Sequence, residues 1–408
     1  MLNRIPRRLF NRSLALSSLA AATPVFLQKS AASMQNSDQH AENGRVLVVI
    51  QLSGGNDGLN TIVSFRNDEY YRSRPHIAVP ADKVVRLNDE LGFHPELQEL
   101  AELFHDGQLA VIPGVGYPNP NRSHFRSTDI WETASDADQL LSSGWIGRYF
   151  DEYCQDNPAD PLGIRIGEQP SLAFAGRRLR AATFTNPDVL KPATEAVSAS
   201  TVESINSIQT TGVSALDFVQ RTGHQASALS HELQLAIERI RPNVSYPPFA
   251  LCQSLRLVAQ MIASGSPTRI YYVTHGGFDT HAAQTQRQAY LLQEFGQAVA
   301  LFHQDLKSHG LLEQVAGIAF SEFGRRVAEN KNSGTDHGTA NVMFAFGGNV
   351  RPGYLGSLPD LKNLDSQGDL IHTLDFRSVY AGVLKDWFKV DAGRILPGAP
   401  GTFDLFHS

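Results

Sequence analysis

Cysteine is almost absent from this chain: its 408 residues include only Cys154 and Cys252. Two cysteines so far apart cannot build a disulfide scaffold, and whether they pair or stay as two buried thiols is left open at this stage. Excess positive charge is missing as well. Lysine and arginine total 35 against 41 acids, a net charge of −6, and no basic patch or nucleic-acid motif stands out. A nucleic-acid partner is therefore not expected. Nor is there a long apolar run beyond the N-terminal segment, so nothing in the mature chain is expected to cross about 30 Å of hydrocarbon. What remains is the composition of an ordinary globular enzyme, rich in glycine and proline for turns. The length suits one large α/β domain or two smaller ones.

The N-terminus reads as an address label. Arg7-Arg8-Leu9-Phe10 supplies a twin arginine, residues 14–26 form a small apolar stretch broken by Ser and Pro, and Ser30-Ala31-Ala32 offers small residues for cleavage. A membrane anchor fits less well, because the apolar stretch is short and polar. The expected division is a twin-arginine signal peptide over 1–32, a flexible lead-in over 33–44 and a mature domain over 45–408. Export of this kind places the protein in the periplasm or outside the cell. Cleavage removes Arg4, Arg7, Arg8, Arg12 and Lys29 and no acid, which moves the net charge from −6 to −11. An anionic substrate would then have to be drawn by local charge, such as a bound metal.

Along the mature chain, apolar runs that read as buried strands end in turns rich in ligand-type side chains. Residues 45–52 lead into Ser53-Gly54-Gly55-Asn56-Asp57-Gly58, a glycine-rich turn around Asp57. It lacks the lysine of a phosphate-cradling loop, and a plain Asn-Asp-Gly turn is the bland alternative. Residues 94–107 read as a helix and 109–113 as a strand. Ser123 then stands at the N-cap of a helix running to about Ala134, flanked by Arg122 and Arg126. A serine there faces free N–H groups and the positive end of the helix dipole, which suits a nucleophile attacking an anion; capping alone is the commoner fate. The two arginines either steady an oxyanion or are surface charges.

Residues 136–250 carry few ligand types and are expected to be an insertion or cap region over one side of the sheet. The strand at 270–273 runs into His275, Asp279 and His281 on a Gly-Gly turn, ahead of a helix from about Ala282 to His309. A carboxylate with imidazoles on a strand-end turn suits a divalent metal, and capping by Asp279 is the alternative. Strand 315–320 ends in Ser321-Glu322-Phe323-Gly324-Arg325-Arg326, and Asp336-His337-Gly338 precedes strand 342–346. Together these turns offer carboxylates, imidazoles and one hydroxyl to a single sheet edge, as metal-assisted ester hydrolysis requires.

The twin-arginine start, SGGNDGLN, RSHFRSTDIWETA, HGGFDTH, SEFGRR and TDHGTAN occur in the order seen in a large bacterial family of exported proteins of unknown function (number 1501), which this chain resembles over essentially its whole mature length. That family resembles in turn the alkaline phosphatase and sulfatase superfamily. The resemblance implies an alkaline phosphatase-like three-layer α/β sandwich with a mainly parallel central sheet. It implies a metal-dependent hydrolase of phosphate or sulfate esters, with Ser123 as nucleophile and Asp57, Asp279, His281, Glu322 and His337 as metal ligands. Asp336 would be a further ligand or would orient His337. The cofactor would be a divalent ion (zinc, manganese, magnesium or calcium) and the substrate a small anionic ester or a glycan.

Two departures weigh against full activity. His281 follows Asp279 by two residues where the superfamily has four, and the superfamily's Asp-His-Gly falls on Glu322-Phe323-Gly324, where Phe323 cannot bind metal. The other placement of that motif, on Asp336-His337-Gly338, would make His372 the last ligand. A single-metal or inactive member is therefore open, as are a non-catalytic envelope protein binding a glycan or a protein and a mutase or transferase acting on phosphorylated sugars.

Overall fold

The computed structural model describes residues 44–154, 162–167, 169–177, 180–184 and 236–407. The signal peptide expected over 1–32, nearly all of the lead-in and the larger part of the expected insertion lie outside the described residues. Among the described residues no helix is long and apolar enough to cross a membrane.

The nearly continuous apolar run expected to be buried on both faces becomes β1 (Val46–Leu52), buried at every position in the middle of a sheet that has nine strands among the described residues. The other long strands are β2 (Leu109–Gly116), β3 (Gly163–Ile166), β4 (Ala181–Phe184), β5 (Ile270–His275), β6 (Val315–Phe320) and β7 (Asn341–Gly347). Two short pairs, β8 (Gly353–Tyr354) and β9 (Leu374–Asp375), attach to β2. The main order is β8-β2-β7-β6-β1-β5-β3-β4. Every pairing is parallel except those of β7, which runs against both β6 and β2. The sheet is thus mainly parallel.

Side chains alternate between the two faces of each strand, so β1 sends Val46, Val48, Ile50 and Leu52 to one core and Leu47 and Val49 to the other. The first core is closed by α1 (Gln98–His105), α4 (Ala250–Ala263) and α5 (Gln284–Ser308). The second is closed by α2 (His124–Thr133), α3 (Trp145–Tyr153) and α6 (Phe376–Gly382), with Trp131 stacked on Phe320 and Phe376. This is an α/β sandwich of helix, sheet and helix layers. The cysteines do not pair. Cys252 lies in the first core and Cys154 packs against the second, so the sheet stands between them.

Part of the region expected to be an insertion over the sheet instead extends it. Gly163–Ile166 is a short buried run that pairs in parallel with β5, and Ala181–Phe184 pairs with it in turn.

Two histidines away from the sheet rim are held neutral by burial. His94 and His303, 7% and 4% exposed, both have pKa values pushed down to about 4. His94 Nδ1 accepts the Glu96 N–H, a bond that only the neutral ring can make. A histidine with a depressed folded pKa stabilises the fold fully above its ordinary pKa, and the contribution is lost as pH falls through the folded value. Between pH 6.5 and 4 each is expected to withdraw roughly 3 kcal/mol of stability. Urea unfolding across that range should show the decline, and His303→Gln should flatten part of it.

Candidate metal centre

The parallel strands β1, β5 and β6 are neighbours, so the turns that leave their carboxyl ends open on one rim. The antiparallel strand β7 starts at that rim, which is why the segment 334–340 arrives there too. The α2 N-terminus comes from the loop after β2. Two glycines let these turns close up. At Gly54 the φ is +117° and an added Cβ would lie 2.4 Å from the Asp279 N; at Gly55, φ +76°, it would lie 2.4 Å from the Phe323 ring.

Arg325 locks the turns together. Its fully buried guanidinium donates to the carbonyls of Gly55 (2.6 Å), Thr335 (2.8 Å), Phe278 (2.9 Å) and Gly54, and to Asp279 Oδ1 (2.8 Å). Ser321 Oγ donates to the Leu52 carbonyl and accepts the Asn56 N–H at 2.9 Å. These bonds fix where Asp279 points. Burial alone would raise its pKa, yet the Arg325 guanidinium donating to it brings the carboxyl down to about 2.

Three imidazoles surround Asp279 Oδ1. The Nε2 atoms of His281, His337 and His124 lie 3.0, 3.1 and 3.5 Å from it, and those of His281 and His337 are 2.9 Å apart. Ligand atoms of His124, Asp279 and His337 all fall within 4.8 Å of one another, and the His281 ring lies against Asp279 and His337. Each ring is held from behind at Nδ1: His124 by Glu322 Oε1 (2.9 Å), His281 by Asp336 Oδ1 (3.1 Å) and His337 by the Arg122 carbonyl (2.8 Å). All three partners are acceptors, so the hydrogen belongs on Nδ1 in every ring and Nε2 is left as a bare lone pair. His124 Nε2 is buried with no hydrogen-bond donor facing it among the described residues.

Electron-rich atoms packed this closely repel unless a proton or a cation sits among them. His124 can take a second proton, since its hydrogen bond to Glu322 raises its pKa. His337 is a poor holder, because burial pushes its pKa down. Imidazole nitrogens steadied from behind by carboxylates or a carbonyl, together with one carboxylate, are the donor set of a divalent transition ion. The residues present fit such an ion.

The other residues singled out in the sequence fall around this group. Asp57 does not join it. Its buried carboxylate pairs with Arg74 Nη1 (2.6 Å), accepts from Gln284 Nε2 (2.6 Å) and caps Leu59 N at 3.2 Å. A guanidinium at that oxygen takes the place a cation would need. Glu322 is buried behind His124 and also accepts the Gly54 N–H at 2.8 Å. Asp336 is exposed and orients His281 where His337 was the expected partner; donation from Asn330 and His281 lowers its pKa. Phe323 packs its ring against His124 and His337, with centroids 4.9 and 4.7 Å away.

Ser123 is exposed at the α2 N-cap, its N–H on Asn121 Oδ1 (2.8 Å), and its hydroxyl makes no capping bond. Both arginines beside it make other contacts. Arg122 grips Asp369 and Asp365, and Arg126 Nη2 donates to the carbonyls of Asp136 (3.3 Å), Ala137 (3.1 Å) and Gln139. His275 is a core residue, buried with Nε2 against the Leu291 carbonyl at 3.0 Å. His372 packs beside Gly116, and burial lowers its pKa. The residues that the sequence reading missed are His124, Arg325 and Arg74. His124 stood inside a quoted motif, one position past the serine that drew attention.

No curated protein matches this sequence. Among solved structures, a protein in the alkaline phosphatase superfamily from Vibrio parahaemolyticus aligns at 11% identity and a TM-score of 0.39, over 87% of this chain and 69% of that one. The PsFucS1 sulfatase from Pseudoalteromonas sp. aligns at 11% and 0.36, over 95% and 76%. The alkaline phosphatase from the Antarctic bacterium TAB5 aligns at 10% and 0.35, over 76% and 93%. Likenesses at TM-scores this low carry no argument about the chemistry here. A family model is a different matter, because it covers most of the chain: residues 44–397 match, and the protein belongs to the family described as "Protein of unknown function (DUF1501)".

Proposed function

We propose that this is an exported, metal-dependent hydrolase of phosphate or sulfate esters that uses one divalent ion. The observation that carries the reading is the convergence of imidazole Nε2 atoms on Asp279 Oδ1, each ring backed at Nδ1 by an acceptor. His124, Asp279, His281 and His337 are the residues that would hold the ion, with Glu322, Asp336 and the Arg122 carbonyl orienting them. A set dominated by imidazole suits zinc better than manganese, magnesium or calcium, which prefer oxygen-rich surroundings. Bound there, a divalent ion supplies Lewis acidity to an ester oxygen and neutralises an anionic substrate.

Ser123 is the proposed nucleophile. Its uncapped, exposed hydroxyl stands at a helix N-terminus, one residue from His124. In the step assigned to it, Oγ attacks phosphorus or sulfur, the ester oxygen departs and the serine proton goes to the leaving alcohol. Water then cleaves the seryl ester and releases the inorganic anion. Ser123→Ala removes the attacking oxygen and is expected to lower turnover of aryl phosphate or aryl sulfate by at least about 100-fold, while the ion stays bound. Equal turnover in that variant would remove the serine from the mechanism.

A non-catalytic binding role is the second reading. It is favoured by Phe323, whose ring packs on His124 and His337 and cannot bind an ion, and by Arg122, already paired with Asp369 and Asp365. Ion binding with no turnover on a panel of aryl esters would support it.

A further inference from the structure

We propose that Asp369 is a positioning residue for the ion site, acting through Arg122 and Arg326. The inference rests on the reading that a cation binds between Asp279 and His337. Asp369 is wholly buried and ends a tight turn in which Asp365 Oδ1 accepts the N–H groups of Gln367 (2.8 Å) and Asp369 (2.9 Å). Its Oδ2 accepts from Arg122 Nε at 2.7 Å and from Nη2, and Arg122 Nη2 also reaches Asp365 Oδ2 at 3.3 Å. Its Oδ1 has no hydrogen-bond donor among the described residues and faces Arg326 Nε at 3.6 Å.

Both arginines hold the ligand histidine with their backbones. The Arg122 carbonyl accepts from His337 Nδ1 at 2.8 Å, and the Arg326 N–H donates to the carbonyl of Asp336, the residue before His337, at 3.0 Å. One carboxylate thereby clamps two chain segments that meet on either side of His337. Arg122 also lies two residues before His124, so the same clamp sets where α2 begins. A buried carboxylate that bridges two guanidiniums costs desolvation and is weakly justified as a stability device. Partners behind a ligand fix the ring's orientation, and their loss typically weakens ion affinity.

The test is zinc affinity, measured by competition with a chelating indicator, on the wild type, Asp369→Asn and Arg122→Gln. Both variants are expected to bind zinc about 10- to 100-fold more weakly. The double variant should be no weaker than the worse single one, since both break the same path. Cobalt in place of zinc should show a changed visible absorption in each variant, because the ring at His337 is free to turn. If Asp369→Asn fails to fold, Arg122→Gln decides, since it leaves the carbonyl in the chain. Variants that fold, melt at lower temperature and bind zinc as the wild type does would reduce Asp369 to a scaffold residue and overturn the inference. A wild type that binds no zinc would overturn the reading beneath it.

Discussion

Arg74→Met is expected to destabilise the protein by roughly 3–5 kcal/mol, the usual cost of leaving one member of a buried ion pair alone. Arg74 and Asp57 have side chains 0% and 1% exposed and meet at 2.6 Å. The guanidinium also donates to the carbonyls of Val327 (2.9 Å) and Arg326 (2.8 Å) and to Asn60 Oδ1 (2.7 Å), so one side chain ties the turn after β1 to the segment after β6. Methionine keeps much of the volume and removes every one of these bonds. Chemical denaturation measures the loss. Zinc content at saturation should stay at the wild-type level in Arg74→Met and in Asp57→Ala. Loss of the ion in Asp57→Ala, with the variant folded, would return Asp57 to the ligand set.

Asp279→Ala is expected to have the opposite profile. The carboxylate is half-exposed, and its Oδ1 is the atom on which the imidazoles converge. Removing it takes the only charged member out of the group, so ion affinity should fall by more than the roughly 10- to 100-fold that outer partners are worth. The fold should survive, because Arg325 keeps its bonds to the carbonyls of Gly54, Gly55, Phe278 and Thr335. Calorimetric titration with zinc and a melting curve, run on the same sample, read both halves. A variant that binds as tightly as the wild type would place the ion elsewhere.

The contrast between these two aspartates shows where reading the sequence succeeds and where it stops. Both follow an apolar strand and sit among glycines, so local pattern makes them equivalent. What separates them is Arg74, a residue that pattern alone would leave on the surface and that folding buries completely. The strands themselves were legible, since Val46–Leu52, broken only by Gln51, and Val315–Phe320 are apolar runs with turn residues after them. The direction of β7 was not, because an apolar run reads the same in either sense. That direction matters, since only an antiparallel β7 delivers His337 to the rim where β1, β5 and β6 end.

The histidines differ in the same way. His281 and His337 were visible as ligand types beside aspartates, and each now has its ring near Asp279. His124 was hidden by its place in a helix start, where a serine cap is the stronger local signal. Its role depends on Glu322, 198 positions away, which accepts from its Nδ1. No local rule links residues at that separation. Directly after α6, Val383–Trp387 widens to a π turn, which the sequence pattern does not distinguish from a plain helix. Its apolar spacing is the same either way.

The most direct test of the central claim is a crystal of the mature protein soaked in zinc, with anomalous data collected across the zinc edge. One peak is predicted at the rim, about 2.0–2.2 Å from Asp279 Oδ1 and His337 Nε2, with His124 and His281 turned toward it. An empty rim, or a peak against Asp57 instead, would contradict it.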